Sequence, residues 1–243
     1  MVDTRRIGKI LTFANMNLRW IRSYPQVSIP YLLIAPFFFF LIAILISKTV
    51  DLRSLIVPVV SVSVSNSILI CRDFWEDKKS GLLLHYMLSM QPIDYILGYM
   101  LSRLVLTFIA FLIIFVISSM LLGIEIMFEF VYIVIPMIEI WLFCSVLGFL
   151  IGVKSKEMRS ASMTGELSWL ILLATSTTFY DSVIIPFPFR CLLLLNPITF
   201  ATEAMKSSFG FTTLVGFTEG CAILSILIAL LFVSLFRSFR WRM

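Results

Sequence analysis

The chain has 243 residues, of which 60% are hydrophobic and 14% are charged, and its mean hydropathy is +1.03. A soluble domain carries about 25% charged and about 45–50% apolar residues, so this composition excludes a soluble protein and predicts an integral membrane protein. The net charge of +5 is spread over short loops rather than concentrated in a basic domain, which excludes nucleic acid as a partner.

Residues 4–24 have the pattern of an amphipathic helix. Apolar residues recur there at three- and four-residue steps, which places them on one helix face: Ile7, Ile10, Leu11, Ala14, Leu18 and Ile21. Basic residues surround this face, and Trp20 and Tyr24 suit the headgroup layer of a membrane. We therefore expect an interfacial helix that lies on the membrane surface in contact with lipid.

Six apolar stretches predict six transmembrane helices. They cover residues 29–46, 53–71, 101–122, 130–152, 166–185 and 214–236. A helix of 18 residues, the length of the first stretch, rises about 27 Å, close to the ~30 Å hydrocarbon core of a bilayer. No small-residue cleavage site follows the first stretch, so we expect a retained span rather than a signal peptide. Pro92 and Asp94 suit a first helical turn, so the third helix is expected to begin well before the lipid.

The charges in the loops predict the orientation of these spans. Of the 19 Lys and Arg residues, 15 fall in the amino-terminal lead, the 72–103 region, the 153–165 loop and the tail, which six spans place on one side. The other side has only four: Lys48, Arg53, Arg190 and Lys206. The positive-inside rule therefore predicts a multi-pass protein of the cytoplasmic (cell) membrane with both termini in the cytoplasm.

Residues 181–213 do not have the pattern of a span. Their apolar part, 191–195, is too short to cross a bilayer, and Pro186, Pro188 and Pro197 interrupt the stretch. We expect two short re-entrant helices between spans five and six, dipping in from the outer face where protein buries them. The prediction for residues 1–243 is thus a single all-α transmembrane domain.

The sequence carries no motif of a nucleotide-binding or catalytic site. G-x-x-x-x-G-K-[ST] and G-x-G-x-x-G are both absent, and the single histidine, His85, excludes most histidine-based metal sites. The four cysteines form no C-x-x-C pair and are expected to be apolar filler. We therefore expect no enzyme activity, no catalytic residue, no cofactor and no metal in this chain, and a source of energy outside it.

Residues 72–79, which we call the charged segment, read Arg-Asp-Phe-Trp-Glu-Asp-Lys-Lys and carry six charges between two apolar stretches. Charges of both signs packed so closely cannot lie in hydrocarbon, so the segment lies outside the lipid. The following spacing indicates a short helix parallel to the membrane, with one apolar face: Leu82, Leu83, Tyr86 and Met90. The alternative is an ordinary solvated loop whose charges only set the topology.

Polar side chains within the spans are candidates for a substrate path. Glu139 lies about ten residues into span four, and a carboxylate at that depth usually faces the bundle interior or a cavity. A role in the path and a structural hydrogen bond are both open for it. The other candidates are polar residues within spans two and five: Ser65, Asn66, Thr175 and Thr178. The alternative for these is helix–helix packing, which the Gly148-x-x-x-Gly152 spacing also favours.

Two ordered motifs, together with the topology, resemble the membrane subunits of type-2 ABC exporters. The first is the acidic cluster before Gly81, with the Pro92-Ile93 and Leu97-Gly98 steps into the third span. The second is similar to the Asn-Pro-x-x-x-x-x-Glu-Ala-x-Arg signature that precedes the last span in that family. We call it the outer motif, and its matching residues are Asn196, Pro197, Glu203 and Lys206, with the lysine in place of the usual arginine.

The resemblance implies partners and a function. In that family two membrane subunits pair with two separate ATPase subunits, and the segment after the second span docks on the ATPase. It implies a second permease copy or a similar permease, and a partner that binds ATP and Mg. Carried over by position, it places four residues at the ATPase contact: Glu76, Asp77, Lys78 and Lys79. It also implies export across the cytoplasmic membrane, with a drug or lipid-like molecule as the expected substrate.

Two other functions are open for a protein of this topology. An ion-gradient-driven secondary transporter is expected to have two similar halves and more intramembrane charge than Glu139 alone provides. The other alternative is a non-transporting membrane scaffold. Binding of an ATPase distinguishes the exporter permease from both.

Overall fold

The computed structural model describes residues 4–23, 26, 34, 37–45, 52–122, 130–182 and 184–238. Within these ranges the regular structure is helical, with no strand, as the composition predicts. The helices that we name are α1 Thr4–Ser23, α2 Leu52–Ile68, α3 Ile70–Ser80, α4 Leu82–Ser89, α5 Pro92–Leu122, α6 Phe130–Lys154, α7 Met158–Ala174, α8 Phe187–Leu193, α9 Pro197–Ser208 and α10 Phe217–Ser238.

Four helices in the described ranges are long and apolar enough to cross a membrane. They are Leu55–Ser80, which joins α2 and α3, then Pro92–Ile117, Val131–Lys154 and Phe217–Ser238. These helices correspond to the predicted spans two, three, four and six, and α5 begins at Pro92 as predicted. Most of the first predicted span lies outside the described residues, although residues 37–45 within it are helical.

The predicted fifth span, 166–185, differs most from the structure. Helix α7 begins earlier, at Met158, and ends at Ala174, so the second half of the predicted span consists of turns. The hydroxyl groups at this end bond to the last helical carbonyls: Thr175 Oγ1 donates to Ile171 O at 2.7 Å, and Ser176 Oγ donates to Leu173 O at 2.8 Å. Such side-chain bonds compete with continuation of the helix. The count of six spans therefore stays a prediction.

The predicted re-entrant region contains two short helices, α8 and α9. Pro186 precedes α8, and Pro197 occupies the first turn of α9. Backbone N–H groups in a first turn have no acceptor within the helix, so proline loses no hydrogen bond there. Their depth in a membrane stays a prediction. Helix α9 is nonetheless enclosed by protein, since every residue from Ile198 to Lys206 is buried.

Helix α2 is the centre of the bundle. In its spanning stretch 83% of the residues are buried by the protein, against 22% for α10, so α2 is surrounded by other helices and α10 lies at the periphery. Helix α6 packs directly on α2, because a Cβ atom on Gly148 would lie 2.6 Å from Ile68 O. One turn further on, a Cβ atom on Gly152 would lie 3.3 Å from Cys71 O, at the start of α3. The Gly148-x-x-x-Gly152 spacing therefore forms a close helix–helix contact.

Helix α1 has the predicted extent, but its apolar residues serve two surfaces. Phe13 and Ala14 are buried against the rest of the protein. Ile7 and Leu11 are exposed, at 43% and 54%. The helix is therefore packed on the bundle along one side and presents apolar side chains on another, as a helix at a membrane interface is expected to do. Its contact with lipid stays a prediction.

Candidate functional site

The charged segment is a helix that continues the second span. Only Leu69 separates the end of α2 at Ile68 from the start of α3 at Ile70, and α3 then runs through all of residues 72–79. Gly81 ends α3 with φ +77°, a left-handed conformation that glycine adopts without strain, and α4 follows directly. The segment is thus a rigid extension of a spanning helix rather than a solvated loop.

Asp77 lies on the inner face of this extension. Its side chain accepts hydrogen bonds at Oδ2 from the Tyr99 hydroxyl at 2.6 Å and from the Tyr95 hydroxyl at 2.9 Å. Only 8% of Asp77 is exposed, and Tyr95 is fully buried. Of the four residues predicted to meet an ATPase, Asp77 is therefore the one that is shielded from a docking partner. Its position is explained by the tyrosines of α5, which the charge pattern of α3 does not reveal.

Two further bonds fix α3 to the bundle. Asp73 forms an ion pair with Arg103 of α5. The Trp75 indole Nε1 donates to the Gly152 carbonyl of α6 at 2.8 Å. These bonds attach α3 to two different spanning helices.

The outer face of α3 and α4 carries the other predicted contact residues. Glu76 pairs with Arg72 at 2.8 Å on the exposed surface, and the Lys78 ammonium lies 4.3 Å from the centre of the Trp75 ring. Lys79 is exposed as well. The neighbouring exposed surface of α4 is apolar, with Leu82, Leu84 and Leu88 exposed by 45%, 56% and 84%. This combination of charged and apolar exposed side chains is typical of a protein-binding surface.

Helix α1 packs against the same tyrosines. The Phe13 ring lies 4.8 Å from the Tyr86 ring, 5.2 Å from that of Tyr99 and 5.3 Å from that of Tyr95, measured between centroids. Burial raises the pKa of the Tyr86 hydroxyl above its ordinary value, and the nearby Asp77 charge raises it further, so Tyr86 stays neutral. Sequence reasoning missed this contact, because Phe13 and its partners are far apart in the chain.

Polar contacts at the start of α1 support the same packing. Arg6 Nε donates to Asp94 Oδ1 at 2.5 Å, and Lys9 Nζ donates to Ser89 O at 2.9 Å. Asp94, which is expected from the sequence to match the helix dipole of α5, therefore also holds α1. The amino-terminal helix, the charged segment and the start of α5 meet at one end of the bundle.

The outer motif lies at the opposite end of the bundle. Helix α6 ends beside α3, and α7 then runs back over 17 residues, or about 25 Å. Near the end of α7, Asn196 caps α9: its Oδ1 accepts from Ile198 N at 2.9 Å, and its Nδ2 donates to Leu172 O at 2.6 Å and to Thr175 Oγ1 at 2.9 Å. Asn196 thus ties the first turn of α9 to the end of α7.

Two buried charges of α9 hold the turns on either side of it. Glu203 is fully buried and accepts from Ser182 Oγ at 3.0 Å and from Leu214 N at 2.7 Å. Lys206 is 3% exposed and donates to the carbonyl oxygens of Thr177 and Tyr180. The outer motif is therefore a clamp that fixes the turn before α8 and the turn before α10, and it offers little surface to a partner.

The candidate path residues fall into different environments. Glu139 accepts at Oε1 from Ser225 Oγ of α10 at 2.9 Å, so the structural hydrogen bond proposed for it is present. Asn66 and Thr178 are buried within the protein, at 3% exposure each. Ser65 is half-buried and Thr175 is exposed, so only these two present a hydroxyl near the surface of a single protomer. A role in a substrate path stays a prediction for all five.

A cavity of about 710 Å³ lies beside the outer motif. Its walls come from the end of α7, from α8 and from the first turn of α9, and most of them are apolar side chains such as Ile171, Phe189 and Leu192. Its polar members include Tyr180 and Asn196. Among the described residues, no three His, Cys, Asp or Glu side chains come together in a way that could hold a metal ion.

A family model matches the part of the chain that contains the charged segment and the outer motif. The model, described as ABC-2 type transporter, matches residues 64–210, which is more than half of the chain. The matched range includes the charged segment and the whole outer motif. No curated protein matches the chain. The chain therefore belongs to the ABC-2 type transporter family, as a multi-pass membrane protein of the permease class.

Proposed function

We propose that this protein is the permease subunit of an ABC exporter in the cytoplasmic membrane, with both termini in the cytoplasm. Two copies, or one copy and a similar permease, form the pathway, and a separate ATPase subunit binds ATP and Mg and supplies the energy. Family membership supports the permease. The pathway, the direction of transport and the ATPase are our proposal.

The observation that carries this proposal is the rigid extension of the second span. Energy released in a soluble partner reaches a membrane pathway only through an element that joins the partner to a spanning helix. Helix α3 meets this requirement, since it continues α2 and is bonded to α5 and α6. The exposed residues Glu76, Lys78 and Lys79 form the contact with the ATPase, and the apolar side chains of α4 extend it.

An apolar substrate, either drug or lipid-like, suits the surfaces of this protein. The 710 Å³ cavity lies within the ~300–1,000 Å³ range of small-molecule sites, and its walls are mostly apolar. It adjoins the end of α7, where Thr175 is exposed. The half-buried hydroxyl of Ser65 on the central helix is the second polar group that we assign to the pathway.

Charge reversal on the outer face of α3 tests the ATPase contact. We expect Lys78→Glu with Lys79→Glu to reduce the amount of ATPase that co-purifies with the permease, because both ammonium groups are exposed and charge complementarity governs association. The measurement is the ATPase-to-permease ratio after affinity purification from membranes, together with vanadate-sensitive ATP hydrolysis in proteoliposomes.

Arg19→Glu is the matched control, since Arg19 is an exposed cation on α1. It is expected to leave the ratio unchanged. An unreversed permease that captures no ATPase contradicts the exporter and favours the secondary transporter or the scaffold. Equal capture by the reversed and control variants contradicts the assignment of the docking face but leaves the exporter standing.

A further inference from the structure

Two carboxylates of the charged segment face the same side of α5. Asp73 and Asp77 are one helical turn apart on α3, and their partners Tyr95, Tyr99 and Arg103 are spaced one turn apart on α5. Asp77 bonds to the two tyrosines, and Asp73 bonds to the arginine. The pairing runs antiparallel, so these five residues form a polar zipper between the two helices.

The polar zipper specifies one arrangement of the two helices. A carboxylate that accepts from two hydroxyl groups at 2.6 and 2.9 Å makes directional, charge-assisted bonds. A slip of α3 by one turn would move Asp77 away from both tyrosines and leave a buried carboxylate without its donors, which is strongly unfavourable. Apolar side chains of similar size would fill the same space without fixing this register.

Helix α1 is seated on the tyrosines of the polar zipper. The Phe13 ring contacts both Tyr95 and Tyr99, as described above. Gly98, between them, makes this approach possible: a Cβ atom there would lie 2.5 Å from Phe13 Cδ1 and 3.4 Å from Ile10 O. A change in the position of the tyrosines would therefore alter their contact with Phe13 of α1.

We infer that Asp77 is a positioning residue of the transport cycle: through Tyr95 and Tyr99 it joins α1, α3 and α5 into one rigid unit that moves when the ATPase moves. The inference rests on the proposed function for its driving force. The rigidity itself does not, since it follows from contacts within one chain. Asp77 thus works behind the docking face, on the side of α3 that is turned toward the spans.

Distance measurements between spin labels on α1 and α3 test the rigid unit in the full-length protein. The labels are attached at Leu11→Cys on α1 and at Ser80→Cys at the exposed end of α3, in a background with Cys191→Ala and Cys221→Ala. The probe variant is Tyr95→Phe with Tyr99→Phe, which removes both hydroxyl donors and keeps the rings that contact Phe13. Tyr132→Phe, an exposed tyrosine on α6, is the control.

Without nucleotide, we expect a narrow distribution of distances for the unmodified tyrosines and for the control, and a broadened one for the double variant. Asp77→Asn, whose amide oxygen still accepts from the hydroxyls, is expected to lie between them. With the ATPase bound and ATP and vanadate added, the distance is expected to stay unchanged in the unmodified protein and to shift in the double variant. The two proteins are expected to capture equal amounts of ATPase. The double variant is expected to melt at a lower temperature, because it leaves the buried Asp77 carboxylate without these two donors, so the distances are measured below that temperature.

A double variant as narrow as the control, with or without nucleotide, overturns the role of Asp77. A shift in the unmodified protein on trapping with vanadate overturns the rigid unit. If no ATPase is captured at all, the proposed function fails, whereas the nucleotide-free measurement still decides whether the polar zipper holds α1, α3 and α5 together.

Discussion

The two ends of the bundle both bury charged side chains, but they use them differently. At the charged segment, Asp77 bonds to side chains of another helix, the tyrosines of α5. At the outer motif, Lys206 bonds to backbone carbonyls, and Glu203 bonds to a backbone N–H and a serine hydroxyl. Bonds between side chains fix two helices relative to each other. Bonds to turn backbone fix the shape of the turns.

The charged segment therefore holds helices against each other, whereas the outer motif stabilises the turns around α9. The charged end combines its buried bonds with an exposed face at Glu76, Lys78 and Lys79, where we propose that the ATPase binds. Glu203 and Lys206 of the outer motif are buried. We therefore expect changes in the outer motif to affect folding first, and changes at the charged end to affect coupling at a smaller cost in stability.

The largest effect is expected from Glu203→Ala. The substitution removes the acceptor for Leu214 N and Ser182 Oγ. Hydrogen bonds to a charged group are worth about 1.5–3 kcal/mol each, and a backbone N–H in a turn has no side-chain freedom to find another acceptor. We expect little folded protein, measured as the monodisperse fraction in detergent and as the thermal unfolding midpoint.

Glu219→Ala is the control for this substitution. Glu219 is an exposed acid at the start of α10, and its contact with Gly216 N, at 3.4 Å, is long. It is expected to change stability by at most about 0.5 kcal/mol, as for other surface substitutions. Equal yields of folded protein for the two variants would contradict the clamp.

A smaller effect is expected from Asp77→Ala. The change removes the charged acceptor to which Tyr95 and Tyr99 donate, and hydrogen bonds to a charged group are worth about 1.5–3 kcal/mol. The adjacent Glu76→Ala breaks only an exposed pair with Arg72, which is worth about 0.3–0.5 kcal/mol. Thermal unfolding of the two variants therefore distinguishes the inner face of α3 from its outer face.

The two variants also differ in function. Glu76→Ala is expected to lower ATPase capture while keeping the unfolding midpoint, and Asp77→Ala to lower the midpoint while keeping capture by the molecules that remain folded. If both variants lower capture to the same extent, Asp77 belongs to the contact after all, and the contrast between the two faces of α3 is lost.

The sequence predicted the long helices well, because their signal is carried by many apolar residues in a row. Helices α5, α6 and α10 lie close to their predicted positions, and the proline-rich stretch contains two short helices as expected. Family membership was also predictable, because the acidic cluster and the outer motif are local in the chain. The end of α7 could not be predicted from the sequence. The hydroxyls of Thr175 and Ser176 bond to nearby backbone carbonyls there, and hydropathy does not detect such bonds.

The direction of Asp77 could not be predicted from the charge pattern of α3. Residues 76–79 are all charged, so their pattern does not show which of them faces inward. That residue is determined by the hydrogen-bond donors on α5. A signal was nevertheless present: Tyr95, Tyr99 and Arg103 repeat at the same four-residue step as Asp73 and Asp77. A four-residue step places side chains on one face of a helix, so these two sets each mark a polar face, and the two faces pair across α3 and α5.

Of the three carboxylates Glu203, Asp77 and Glu139, the smallest effect is expected at Glu139, which lies in α6 between the two ends. It resembles Asp77 in accepting a hydrogen bond from a neighbouring helix, here from Ser225 Oγ of α10 at 2.9 Å. A glutamine keeps the carbonyl acceptor for that bond, so Glu139→Gln is expected to change the unfolding free energy by no more than about 0.5–1.5 kcal/mol. If Glu139 is structural, Glu139→Gln also retains vanadate-sensitive ATP hydrolysis. Ser225→Ala is then expected to change stability and hydrolysis equally little. If the charge serves the pathway, hydrolysis falls in Glu139→Gln at normal expression but is retained in Ser225→Ala, because only the first variant removes the charge. Comparison of Glu139→Gln with Ser225→Ala therefore decides whether Glu139 holds two helices together, as Asp77 does, or serves the substrate pathway.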